Sequence, residues 1–130
     1  MKRLFAILLA AVALAACHRT EKIVETTAEA FLHAYYTAEY EAAAALCTPQ
    51  LARWVSMGAS SLDQVPEETA QKMKEALSQT SFTIVSVEVD EAAACALVRY
   101  ELSAPGHEKP VPKSLKLQLE GRTALVDGIQ

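Results

Sequence analysis

Val85-Ser86-Val87-Glu88-Val89-Asp90, followed at once by Glu91-Ala92-Ala93-Ala94-Cys95-Ala96-Leu97-Val98-Arg99-Tyr100-Glu101-Leu102, is the stretch that decides the fold. Three valines alternate with Ser86 and Glu88, a period of two that marks a half-buried strand. Asp90, Glu91 and Ala92 can turn the chain. Ala94, Ala96, Val98, Tyr100 and Leu102 then share one face of a second strand, while Cys95, Leu97, Arg99 and Glu101 share the other. Residues 104–112 hold three prolines, one glycine and one histidine and read as a loop. Leu115, Leu117 and Leu119 alternate with Lys116, Gln118 and Glu120 in a third strand. Glu120-Gly121-Arg122 reads as a tight turn, and residues 123–127 as a short fourth strand.

Upstream of Ser81 the period is helical. Val24, Thr27, Ala28, Phe31, Tyr35 and Ala38 form one stripe, with Glu21, Lys22, Glu25 and Glu29 opposite. This predicts a first helix starting between Thr20 and Ile23. An alanine-rich second helix is expected over residues 39–46. Thr48-Pro49 supplies a cap and a first-turn proline for a third, over residues 49–57, with Leu51, Trp54 and Val55 on its apolar face and Gly58 as its stop. Residues 58–64 read as a loop. Pro66, Glu67 and Glu68 open a fourth helix with Ala70, Met73, Ala76 and Leu77 as its inward positions. Helices followed by an antiparallel meander define an α+β domain, with N-terminal helices packed on one face of a curved four-stranded sheet.

The N-terminus is of another kind. Lys2 and Arg3 precede an apolar run over residues 4–16, the pattern of an export signal. The run is shorter than the roughly 20 apolar residues a membrane-spanning helix needs. It ends in Leu14-Ala15-Ala16-Cys17, which resembles the lipobox of bacterial lipoproteins. That resemblance implies a glyceride on the Cys17 sulfur, a cut before Cys17, and two or three acyl chains, enough for stable anchoring where one chain is marginal. Ala13-Leu14-Ala15 also fits ordinary secretory cleavage, with Cys17 incidental. The lipoprotein reading divides the chain into a signal peptide (1–16), a lipidated tether (17–22) and a domain (23–130). It places the protein in the bacterial cell envelope. His18, rather than Asp, follows the cysteine, which favours the outer membrane over the inner one.

Removing residues 1–16 from the 130 leaves 114, enough for one modest domain. The whole chain has a net charge of −4, and losing Lys2 and Arg3 takes it to −6. An acidic domain argues against nucleic acid as a partner and against polybasic docking on anionic lipid. Two fates are open to Cys47 and Cys95: a disulfide, which an extracytoplasmic compartment permits, or two free thiols that pack as small apolar groups. No spacing of Cys or His suits a metal, and no cofactor motif occurs.

The domain resembles small lipoproteins of the NTF2-like (cystatin-like) superfamily, in particular DUF4878-type domains. The resemblance lies in the opening Ala28-Glu29-Ala30-Phe31-Leu32-His33-Ala34-Tyr35-Tyr36, in Glu39-Tyr40-Glu41-Ala42-Ala43-Ala44-Ala45-Leu46-Cys47-Thr48-Pro49, and in the closing Gly121-Arg122-Thr123-Ala124-Leu125-Val126-Asp127-Gly128-Ile129. It implies a cone-shaped sheet wrapped on a long helix, often with a pocket at its open end. Ala124 stands where the family carries a tryptophan, so Trp54 is expected to fill that volume. Tyr35, Trp54 and Tyr100 are the candidate lining of a pocket. The superfamily's isomerases and dehydratases would draw on Tyr35, Tyr36, Tyr40, Tyr100, His33 and Asp127. No catalytic signature accompanies them, and each has an ordinary role as core, surface or turn residue. The sequence therefore points to a non-enzymatic envelope lipoprotein whose specific role it does not name, a binding or structural-interaction domain with an envelope protein as one partner it would suit. A small apolar ligand in the cone is the alternative, and an NTF2-like enzyme the remotest reading.

Overall fold

The computed structural model describes residues 2–130, with side chains from residue 19 onward. Cys17 and the apolar run before it lie outside the residues whose side chains are described. The chain runs α1 (Lys2–Tyr36), α2 (Tyr40–Ala44), α3 (Pro49–Gln64), α4 (Glu67–Ser78), β1 (Ser81–Asp90), β2 (Cys95–Ser103), β3 (Val111–Glu120) and β4 (Thr123–Ile129). The strands form one antiparallel sheet in the order β1-β2-β3-β4. The α+β architecture read from the change of period at Ser81 is the one observed.

Five side chains of α1 carry the helical half of the core: Val24, Ala28, Phe31, Leu32 and Ala34 are buried. They meet Ala96, Val98 and Tyr100 of β2, Leu115 and Leu117 of β3, and Ala124 and Val126 of β4. No glycine or proline precedes Pro49, so nothing in the sequence interrupts α1. The expected start near residue 20 is therefore absorbed into a longer helix.

Two bulges shape the sheet. In β1 the register steps from Ile84↔Tyr100 to Ser86↔Arg99, leaving Val85 as the extra residue. A bulge re-aims the side chain it inserts. Val85 is 59% exposed, while Phe82, Ile84, Val87 and Val89 pack against the core. The expectation that Val85, Val87 and Val89 share one face thus holds only beyond the bulge. In β4 the step from Leu117↔Val126 to Lys116↔Gly128 leaves Asp127 as the extra residue.

Asp127 has a use there. Its Oδ1 accepts a hydrogen bond from Thr48 Oγ1 at 2.9 Å. Beside it, Val126 donates to the Leu46 carbonyl at 2.8 Å and Thr48 donates to the Val126 carbonyl at 2.9 Å. The segment between α2 and α3 thereby pairs with the outer edge of β4 as a short parallel bridge at Cys47. A free sheet edge is an invitation to unwanted pairing, and this segment closes one. Thr48 does sit at the N-cap of α3 with Pro49 behind it, but its hydroxyl serves the sheet and not the helix.

Two expectations about the helices fail. Gly58 does not stop α3, which continues to Gln64. A β-carbon at Gly58 would lie at an ordinary contact distance of 3.6 Å from the Tyr40 ring, which packs against this turn of α3. The inward stripe of α4 is not buried either: none of its residues is, and Met73 is 45% exposed. The underside of the sheet is already filled from α1, α2 and α3, and α4 meets the rest of the domain chiefly along α3.

Candidate functional site

At its C-terminal end α1 stops on Ala38, which takes a left-handed backbone with φ 62°. A side chain there costs about 1–2 kcal/mol relative to glycine. The turn lets Glu39 donate to the Ala34 carbonyl at 2.9 Å and swings Tyr40 back under α1. The rings of Tyr35 and Tyr40 meet edge to face with centroids 5.9 Å apart, and Tyr35 stacks on Phe31 at 5.5 Å. Tyr36 closes the group edge-on to Tyr35 at 5.2 Å. Strained backbone beside an aromatic cluster is a pattern associated with sites.

Above this cluster runs α3. Tyr35, Tyr40, Trp54, Val55, Met57, Gly58 and Ser61 enclose a surface cleft of about 250 Å³. Val55 is its buried floor, while Trp54 is 57% and Met57 65% exposed. An indole and a thioether that remain this open are apolar surface with something to gain from a partner. Behind Tyr40 lies a second hollow of about 410 Å³, edged by Glu39, Glu41, Asp63 and Lys74. The Tyr40 ring thus separates the aromatic cleft from the charged hollow, and is the one residue that lines both.

Tyr35 and Trp54, two of the three predicted pocket residues, come together here. Tyr100 does not: it is 1% exposed, with its hydroxyl in the core 3.3 Å from that of Tyr36, and it borders instead a separate surface hollow of about 380 Å³ with Val85, Arg99, Pro112 and Lys113. Burial pushes the Tyr100 phenol far above its ordinary range, and the hydrogen bond with Tyr36 adds to this. Tyr35 is also raised, by burial first and then by its tyrosine neighbours. Both rings are neutral packing and hydrogen-bonding groups at physiological pH. His33 lies on the exposed face of α1, and Asp127 is at the β4 edge with Thr48. The structure gathers the tyrosines but brings neither His33 nor Asp127 to them.

Trp54 does not fill the volume beside Ala124. Ala124 is buried among Val126 and the other core side chains, whereas the α3 turn carrying Trp54 faces outward because Val55 takes the inward position. Cys47 and Cys95 are both free thiols. The disulfide alternative is not realised, because β3 and β4 stand between Cys95 on β2 and Cys47 beyond β4. Three strand spacings, roughly 14 Å, far exceed the Cα separation of about 4.4–6.8 Å that a disulfide spans. Burial pushes the Cys47 thiol up to about 11, and its Sγ donates to the Ala43 carbonyl at 3.2 Å. Among the described residues no cluster of His, Cys, Asp or Glu could hold a metal ion, and no helix is long and apolar enough to cross a membrane.

What the sequence reading misses at this site is Met57 and Gly58, which it takes for a helix end and a stop. Trp54, Met57 and Ser61, each one turn from the next on a helix whose inward residues are Leu51 and Val55, are the signal that finds them.

The fold and cleft define an α+β domain with an exposed aromatic site at one end. No family model matches the chain, and no curated protein matches it. Among solved structures it is similar to an NTF2-like protein of unknown function from Cytophaga hutchinsonii, at 13% identity and a TM-score of 0.40 over 80% of this chain and 85% of that one.

Proposed function

We propose that the chain is the precursor of a bacterial lipoprotein, cut before and lipidated on Cys17, whose mature part is an NTF2-like domain of the DUF4878 type. In this reading the protein is held in the cell envelope, at the outer membrane, and its domain binds an apolar side chain or segment of another envelope protein through the Trp54 cleft. The anchor is supported by the lipobox at Leu14-Ala15-Ala16-Cys17. The NTF2-like assignment is supported by the opening-helix and closing-hairpin motifs.

One observation carries the binding reading: Trp54 and Met57 stay 57% and 65% exposed beside Tyr35 and Tyr40. Tryptophan is enriched among the residues that dominate interfaces. The volume of about 250 Å³ falls below the roughly 300–1,000 Å³ of small-molecule pockets. It suits one inserted side chain better than a whole ligand. The interior of the cone is filled by Tyr100, Phe31, Leu115 and Leu117, which counts against the small-ligand alternative.

A photo-crosslinker at Met57 in intact cells tests this. A discrete adduct with an envelope protein is expected, and Trp54→Ala should abolish it. An adduct that survives Trp54→Ala removes the cleft from the interaction. A small apolar molecule retained in the native mass spectrum, and lost in Trp54→Ala, would replace the protein-partner reading by the ligand reading. For the anchor, Cys17→Ala should release the protein from membranes or leave it unprocessed. A wild-type mature N-terminus without acyl chains overturns the lipoprotein assignment.

A further inference from the structure

The domain's ordered contacts begin almost at the proposed anchor. Thr20 Oγ1 donates to Glu91 Oε1 at 3.4 Å, fastening the start of the mature chain to the turn between β1 and β2. Val24, one turn on, is fully buried. Only three residues lead from Cys17 to Thr20, and three residues span at most about 11 Å when fully extended. A lipid on Cys17 must therefore sit close to the Glu91 turn.

The turn between β3 and β4 lies at the same end. Leu119 donates to the Ala94 carbonyl at 2.9 Å, and Cys95 is registered with Gln118. Together the two turns make one tip, on which Glu91, Ala92, Ala93, Ala94, Gly121 and Arg122 are all exposed. The aromatic cleft is at the other end of α1. Fifteen residues separate Thr20 from Tyr35, and at about 1.5 Å per residue this places the cleft roughly 22 Å further along the helix axis.

Resting on the lipoprotein reading, we infer that the domain stands on its membrane on the Glu91–Arg122 tip and points the Trp54 cleft away from the bilayer. The charge of the helical side supports standing over lying on it. The exposed face of α1 carries Glu21, Glu25 and Glu29 against Arg19 and Lys22, and α4 carries Glu67, Glu68 and Glu75 against Lys72 and Lys74, so each helix is net acidic. Laying either helix on anionic lipid brings like charges together. The tip itself, with Glu91, Glu120 and Arg122, has no electrostatic pull toward lipid, and the short tether is what holds it there. The partner of the cleft is then reached from the aqueous side and is not the bilayer that carries the protein.

Trp54 is the only tryptophan in the chain, so it reports its own depth. The acylated full-length mature protein is reconstituted in phosphatidylcholine–phosphatidylglycerol vesicles whose acyl chains carry bromine near the headgroup. Trp54 emission should match that in unbrominated vesicles. In a Trp54→Phe, Ala93→Trp variant, which keeps the Glu91 carboxylate that Thr20 uses, the new indole should lose intensity several-fold. Quenching of Trp54 comparable to that at position 93, or quenching at Trp54 alone, overturns the orientation while leaving the anchor intact. Mass spectrometry of the same preparation reads the acylation. An N-terminus without lipid overturns the anchor, and the orientation with it.

Discussion

Replacing Phe31 and Trp54 by alanine, one at a time, separates core from surface. Phe31 is fully buried near the C-terminal end of α1, with its ring stacked on Tyr35 at 5.5 Å. Removing a buried phenylalanine costs about 3–5 kcal/mol, the lost transfer energy plus the cavity left behind. Losing the stack with Tyr35 places Phe31→Ala toward the upper part of that range. A small domain has about 5–15 kcal/mol in total, so a third or more is lost. With a urea slope of about 1.5–2 kcal/mol/M, the unfolding midpoint should fall by roughly 2–3 M. Trp54 is larger, but it is 57% exposed. It forfeits less than half of the transfer energy of a buried indole, about 1 kcal/mol, and the midpoint should move by about 0.5 M. Urea titration of the purified mature protein by far-ultraviolet circular dichroism measures both. Emission from Trp54 in the folded protein should already be that of a solvated indole. If Trp54→Ala destabilises as much as Phe31→Ala, Trp54 is core and the candidate site disappears.

Five further outcomes are expected. Ala38→Gly relieves the left-handed backbone at φ 62° and should stabilise the domain by about 1 kcal/mol, seen as a higher melting temperature; a lower one refutes the strain. Gly58→Ala should stabilise by up to about 1 kcal/mol, because alanine is the better helix former and its β-carbon meets the Tyr40 ring only at an ordinary 3.6 Å; destabilisation would mean that the Tyr40 seat tolerates no side chain. Thr48→Val keeps the shape but loses the bond to Asp127, which should cost about 1–2 kcal/mol, and Thr48→Ser should restore most of it. Alkylation of the native protein should modify Cys95 and spare Cys47, and the mass of the unreduced protein should show no disulfide. The Cys47 thiol is held neutral in the fold, up to about 11 against an ordinary 9.0. The unfolded chain therefore loses this proton first, and stability contributed below pH 9 should fall as pH rises from 9 toward 11. Cys47→Ala should flatten that fall.

The change of period at Ser81 made the helices-then-meander order legible, since alternation and helical spacing are one-dimensional patterns. Ala96, Val98, Tyr100, Leu115 and Leu117 are buried as their alternation required. What escaped was each feature set by a neighbour distant in sequence. Val85 turns outward because a bulge forms against Arg99, and alternation within β1 carries no trace of it. Gly58 reads as a helix stop until the Tyr40 ring is known to lie against it. Met73 belongs to a helical stripe with no surface left to cover. The site was half legible: Tyr35 and Trp54 meet, whereas Tyr100 fell on the buried side of β2, which its own alternation with Arg99 and Glu101 already favours for core.

The clasp between Thr48 and Asp127 joins residues 79 positions apart, and this sets a timetable for the chain. Everything from α1 to α4 is made before any strand exists, so the apolar stripe of Phe31 and Leu32 must wait uncovered. The sheet then grows by neighbouring hairpins, each closing a short loop. Its last strand, β4, both caps the α1 stripe and receives the clasp from residues 46–48. The domain can close only once β4 has been made. A chain ending at Glu120 would retain the helices and three strands yet lack Ala124 and Val126 from its core, leaving an exposed, adhesive intermediate for quality control to remove.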